Sequence, residues 1–156
     1  MEPRASTPAR RLEAISRLAD AGCPVSVGFA PVIPGLNDHE LESVLEAAAK
    51  AGATSAMYVT LRLPLEIKSL FAEWLADARP ERAARVMSLI RQTRGGKDYD
   101  ADWSLRMKGT GPVAELIAAR FKAAVKRYGL DGPKPLLDET QFRVPVDARA
   151  QLDLFG

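Results

Sequence analysis

The stretch that most constrains this chain is Pro24-Val-Ser-Val-Gly-Phe-Ala-Pro-Val-Ile-Pro-Gly-Leu-Asn-Asp-His-Glu40, a β-rich apolar run that ends in a Pro/Gly turn and leads into a helix. Val25, Val27, Phe29, Val32 and Ile33 are too few for a membrane span, and their near-continuous apolarity suits a parallel strand buried on both faces. In folds built from such strands, the loops at the carboxyl ends form the binding site, so residues 31–40 are the first place to seek a ligand.

The flanking pattern supports an α/β unit. Thr7 and Pro8 open a helix whose Leu12, Ile15, Leu18 and Ala19 recur with helical spacing, and Gly22 ends it. Asn37 and Glu40 form a capping-box-like start to a second helix with Leu41, Val44, Leu45 and Ala48 on one face, ending at Gly52. Residues 55–61 are a second strand with Arg62-Leu-Pro64 as its exit loop, an order that implies a crossover and a parallel pair, strands 24–33 and 55–61. After that the pattern turns helical over 65–76, 80–93 and 112–128. The loops at 95–99 and 108–112 carry paired glycines; turn geometry is the first reason for them, and an anion at the helix start after Pro112 is the second. Residues 131–156 read as a tail, draped or disordered, with Pro133, Pro135 and Pro145. The domains expected are an incomplete α/β unit over 1–78, part of a barrel or of a doubly wound sheet, a helical lobe over 79–130 and the tail.

Composition excludes several function classes. The chain has 156 residues, 47% of them hydrophobic, enough for one domain with a core but too few for a second. One Cys and one His cannot supply the three or four ligands of a zinc or iron-sulfur site. No apolar run has membrane-span length, and the N-terminus lacks a secretion-signal core, so a cytoplasmic location is expected. Residues 79 to 127 hold 12 Lys/Arg against 5 Asp/Glu. Such a segment suits a phosphate backbone, and a solvated helix face gives the same count.

Two parallel strands alone leave sheet edges open, so strands from elsewhere are expected to complete the sheet. On this point the sequence resembles a known family. The blocks Glu2-Pro-Arg-Ala-Ser-Thr-Pro-Ala-Arg-Arg-Leu-Glu-Ala-Ile15, Ala30-Pro-Val-Ile-Pro-Gly-Leu-Asn-Asp38, Leu61-Arg-Leu-Pro-Leu65, Arg94-Gly-Gly-Lys97 and the closing Gln-Leu-x-Leu-Phe are similar, in order, to the radical S-adenosylmethionine (SAM) proteins of the spore-photoproduct-lyase-like, or DNA repair photolyase, group. The resemblance implies the C-terminal part of a partial (β/α) TIM-like barrel, with 24–33 as its fifth strand and 55–61 as its sixth, and a missing N-terminal barrel half as partner. The family's G-x-I-x-G-x-x-E cofactor loop matches at Pro31-Val-Ile33-Pro-Gly35-Leu-Asn-Asp38, with Pro31 for the first Gly and Asp38 for the Glu.

By that resemblance Ile33 offers an apolar face to adenine, Gly35 allows close backbone approach, and Asn37 and Asp38 supply polar groups. Glu2 and Arg4 would face the methionine part of the cofactor, and Arg62 a carboxylate or phosphate. The family's [4Fe-4S] cluster sits on a C-x-x-x-C-x-x-C motif that this sequence does not contain. The activity implied for a longer parent protein is radical lyase chemistry on a nucleic-acid lesion or a related substrate, and the chain alone would not cleave SAM. A different class of function, a non-catalytic nucleic-acid and sliding-clamp binding module, is suggested by the basic segment. Gln151, Leu152, Asp153, Leu154 and Phe155 support it by matching the bacterial clamp-binding pentapeptide at all five positions.

Overall fold

A computed structural model describes residues 4–97, 107–133, 136 and 138–143. Glu2 and the pentapeptide 151–155 lie outside the described residues. The order is α1 (Pro8–Asp20), β1 (Ser26–Val32), a 3-10 turn (Asp38–Glu40), α2 (Leu41–Lys50), β2 (Ser55–Thr60), α3 (Ile67–Ala78), α4 (Pro80–Gln92) and α5 (Gly111–Tyr128). β1 and β2 pair in parallel with Ser26 opposite Ser55 and Phe29 opposite Tyr58, so the mixed α/β organisation with two parallel strands and several helices holds.

The first helix begins where its end chemistry allows. Thr7, extended at φ −61° and ψ 154°, accepts a hydrogen bond from the Arg10 amide and places Pro8 at the first position of α1. Gly52 follows α2 at φ +102°, and a Cβ there would stand 2.6 Å from the Ala19 Cβ, so its missing side chain is what lets α1 approach α2.

The core falls into two clusters. In the first, Phe29 and Tyr58 from the sheet meet Leu41, Leu45 and Ala48 of α2 and Ile117 and Ala124 of α5. The second joins Ile33 and Leu63, at the strand exits, to Phe71 and Leu75 of α3 and Val86, Met87 and Ile90 of α4. The packing therefore groups elements differently from their order along the chain: α5, distant in sequence, lies over the sheet, and α3 and α4 back the exit loops.

Two local expectations are corrected. β1 is not buried on both faces: Ser26, Gly28 and Ala30 are exposed while Phe29 and Val32 are buried, because α2 and α5 cover one face only. Asn37 does not cap α2 with its side chain either. It precedes the 3-10 turn, makes no side-chain cap bond, and leaves α2 to begin at Leu41.

Candidate functional site

Both strands run the same way, so both exit loops lie at one end of the sheet, tied by the Leu61 amide donating to the Val32 carbonyl at 2.8 Å. The first loop is closed by its own side chains. Asn37 bridges it: its Oδ1 accepts from the Ile33 amide at 2.7 Å, and its Nδ2 donates to the Pro31 carbonyl at 3.0 Å. The Leu36 and Asn37 amides turn back to the Ile33 carbonyl. Asp38 Oδ1 accepts from the Gly35 amide at 2.7 Å, a short Asx-type bond. Gly35 sits at φ +77°, which favours glycine, and a Cβ there would meet Leu89 Cδ1 of α4 at 2.8 Å and have to displace that methyl.

Arg120 reaches this loop from α5. Its Nε and Nη2 donate to the two Glu42 oxygens at 2.8 and 2.7 Å, while Nη1 donates to Asp38 Oδ2 at 3.2 Å and Nη2 to the Asp38 carbonyl at 2.7 Å. A guanidinium fork on a carboxylate is a charge-assisted, geometrically specific contact. The hydrogen bond from Arg120 holds the Glu42 carboxyl below its ordinary value, and Glu42 in turn raises Arg120. Loop, α2 and α5 are thereby locked together.

The second loop is held from behind. Arg94, 2% exposed, donates through Nη2 to Thr60 Oγ1 and to the Leu61 carbonyl, both at 2.9 Å. The Thr60 hydroxyl in turn donates a hydrogen bond to the Met107 carbonyl at 2.9 Å. Leu63 is buried in the second cluster, whereas Leu65 stands 87% exposed at φ +46°. Half-buried Arg62 lies between Leu61 and Leu63 and has no hydrogen bond or ion pair to the described residues.

The expected site residues thus separate by role. Ile33, Gly35, Asn37 and Asp38 come together in one loop, but Ile33 is 2% exposed and its side chain belongs to the second core cluster. It offers no apolar face at the loop surface, because α3 and α4 need it as core. The polar groups of Asn37 and Asp38 are occupied in shaping the loop. Among the described residues neither Arg62 nor Arg4 makes a hydrogen bond or ion pair, and Arg4 is exposed beyond the start of α1. Sequence reasoning missed Arg94, Arg120 and Glu42 as members. Asp38 and Glu42 stand four residues apart, and that acidic pair is a signal for a basic partner; nothing in the pattern around Arg94 announces a buried guanidinium.

Beside the first loop a cavity of about 750 Å³ opens between α1, β1 and α2, with Pro31 and Asn37 among its lining. Among the described residues no cluster of His, Cys, Asp or Glu could hold a metal ion, and no helix is long and apolar enough to cross a membrane.

The chain is 36% identical over 157 aligned residues to uncharacterized proteins of Mycobacterium bovis and of two strains of Mycobacterium tuberculosis. The match covers 95% of this chain and 41% of each relative, so the chain spans about two fifths of their length. No protein-family profile matches it, and no solved structure does.

Proposed function

We propose that this chain forms one wall of a SAM pocket in a longer radical lyase-like protein, as the C-terminal part of a partial (β/α) barrel. The observation that carries the reading is the pairing of two exit loops at the carboxyl ends of parallel strands, the first held in one shape and the second offering Arg62. The ordered blocks of family-like sequence and the greater length of the relatives also support it.

In this reading the residues divide their work. Arg62, with Arg4 and Glu2 from the start of the chain, meets the charged methionine end of the ligand, and the backbone of residues 31–35 forms the surface that a nucleoside lies against. Asn37, Asp38 and Arg120 keep that surface from collapsing before the ligand arrives, which lowers the ordering cost of binding. SAM, once reduced, would supply radical chemistry there. The [4Fe-4S] cluster that does the reducing does not fit this chain, whose single cysteine, Cys23, is exposed and without companions. Its ligands belong to the companion half, and the isolated chain is inactive.

SAM titrated into the isolated chain tests the reading. Backbone NMR shifts should concentrate at residues 31–38 and 61–63, and Arg62→Ala should weaken binding about five- to tenfold, the worth of one charge-assisted contact. Absence of shifts at about 10 mM SAM, the weakest range of specific binding, would remove the proposal.

The pentapeptide carries a second reading, an adaptor holding a bacterial sliding clamp while the basic segment 79–127 meets DNA. Leu154 and Phe155 would be adjacent apolar anchors, with Leu152 beside them and Gln151 hydrogen-bonding at the rim. A peptide of residues 148–156 that binds a clamp no better than its Leu154→Ala, Phe155→Ala form would eliminate it.

A further inference from the structure

The third helix buries one side and leaves an apolar stripe on the next. Phe71 and Leu75 belong to the second core cluster, while Ile67, Leu70 and Trp74 recur at i, i+3 and i+7 and so share a neighbouring face of α3. Ile67 is 43% exposed and Leu70 57%. Trp74 is half-buried with its ring 5.8 Å from that of Phe71, so the stripe ends on an aromatic ring braced by the core. Glu66, Glu73 and Asp77 lie four residues before, three after and seven after Leu70, which lines them up along its outer margin. All three are exposed, and none makes an ion pair among the described residues.

The acidic row narrows what can cover the stripe. Like charge disfavours a nucleic-acid backbone, an anionic membrane surface and the pentapeptide with its Asp153. The fitting occupant is an apolar helix face with lysine or arginine beside it. This chain presents such a face on α5, where Leu116, Ala119 and Ala123 repeat with the same spacing as the stripe of α3 and Leu116 is 60% exposed. Lys122 and Lys126 stand exposed next to them, four residues apart as Glu73 and Asp77 are, and neither has a carboxylate partner among the described residues. The two alanines leave room for the larger side chains of α3. The other basic helix, α1, suits the role less: Glu13 and Asp20 lie among its arginines, and its Leu12 and Ile15 face the cavity beside β1. Both stripes are exposed in the folded chain, so they do not meet within one copy.

We infer that α3 of one copy docks on α5 of a second copy, with Ile67, Leu70 and Trp74 against Leu116, Ala119 and Ala123 and the acidic row beside Lys122 and Lys126. The two patches differ, so the contact is heterologous. Each pair keeps one unused face at either end, and association continues into a ring or a filament instead of stopping at two. A single helix pair covers less than a standard interface, which makes the contact weak, with a Kd of about 0.1–1 mM. It uses neither exit loop and goes beyond the SAM reading.

Sedimentation equilibrium of the isolated chain tests it. The average mass should climb above that of one chain as concentration approaches about 1 mM, and should fall back in about 0.5 M salt, which screens the charged rows. Leu70→Glu and Leu116→Glu each destroy one face and should each stay monomeric. Mixed in equal amounts they still hold one intact face apiece, and they should form a 1:1 dimer that grows no further. A wild-type chain that remains monomeric at about 1 mM overturns the inference, as does a mixture that does not pair. Self-pairing of Leu116→Glu alone would show α3 binding α3, and association persisting in both single variants would place the contact elsewhere; either result also overturns it. Should a leucine variant lose the wild-type unfolding midpoint, charge reversal decides instead. Glu73→Lys with Asp77→Lys should weaken association at least about tenfold, and adding Lys122→Glu with Lys126→Glu should restore it. No weakening, or no restoration, sinks the inference. SAM titration fails or succeeds independently of all these outcomes.

Discussion

The loop that leaves β1 closes most of its hydrogen bonds within itself, through Asn37 and Asp38, and adds Arg120 as an outer clamp on a half-exposed face. The neighbouring loop that leaves β2 has no such internal bridge among the described residues; beside the Leu61 amide bond to Val32 and the buried Leu63, its polar anchor is one buried guanidinium behind it, Arg94. The contrast concerns how failure spreads. A loop with several small local bonds loses shape by degrees, whereas one organised by a single buried charge loses its anchor at once. Beside it, Arg62 makes no hydrogen bond or ion pair among the described residues, and Leu65, Ile67 and Leu70 stand exposed.

The largest effect should come from Arg94→Met, which keeps the apolar stem but strips the bonds to Thr60 and Leu61. Losing the buried bond to Thr60 and the part-buried one to the Leu61 carbonyl should cost about 2–4 kcal/mol, read from urea unfolding. A change near zero would mean that the second loop has an anchor of its own, and the contrast between the loops would fail.

Gly35→Ala comes next, at about 1–3 kcal/mol, because it combines a left-handed φ with a collision against Leu89. Adding Leu89→Ala should relieve the collision and leave the backbone part. Full recovery in the double variant would show that space rather than conformation demands the glycine.

The Arg120 clamp is smaller and is best seen through pH. Glu42 is held below its ordinary value of 4.5 by the Arg120 hydrogen bond, so the unfolded chain binds more protons than the folded one between the two values. The stabilisation is present above 4.5 and lost as pH falls toward the folded value. Arg120→Met should therefore flatten the acid limb of the stability curve. Glu46, lowered by its hydrogen bond to Lys50, adds to the same limb and is untouched by the variant, so the difference between the two curves reports the Arg120 pair. Identical acid limbs would separate Arg120 from Glu42 of α2.

Much of this arrangement was legible in the sequence wherever the cause was local. Thr7-Pro8 marks the start of α1 because the cap and the fixed proline φ act within one turn, and helices expected over 65–76, 80–93 and 112–128 occur at Ile67–Ala78, Pro80–Gln92 and Gly111–Tyr128. Gly35 is singled out in the sequence by the family-like motif, for close backbone approach to a nucleoside; its neighbour Leu89 lies 54 positions away and nothing local points to it. Asn37 was misread for an instructive reason: an Asn before a helix can satisfy the helix amides ahead or the turn behind, and the Pro31–Ile33 backbone was nearer to hand. Arg94 and Arg120 are illegible in principle from periodicity, because their partners at Thr60, Leu61 and Glu42 belong to elements that only tertiary packing brings close. The apolar face of β1 carried a different message, read as burial that this chain by itself does not provide.

The smallest expected effect sharpens the comparison from the opposite side. Tyr58 lies on the strand feeding the second loop, with its ring 4.6 Å from that of Phe121 and its hydroxyl buried without a hydrogen-bond partner among the described residues. Two positions on, Thr60 has its hydroxyl fully engaged between Arg94 and Met107. If satisfied polar atoms are what hold the loops, removing an unsatisfied one should cost nothing, and Tyr58→Phe should leave stability unchanged or raise it by up to about 1 kcal/mol. Burial raises the Tyr58 pKa above its ordinary 10.0, so the folded chain keeps the proton longer than the unfolded one. Wild-type stability then includes a contribution that is complete below 10.0 and disappears as pH rises through the folded value, and Tyr58→Phe should abolish that alkaline loss. A loss of more than about 1 kcal/mol at neutral pH would instead show that the hydroxyl does bond to something, and the strand behind the second loop would be held by more than Arg94.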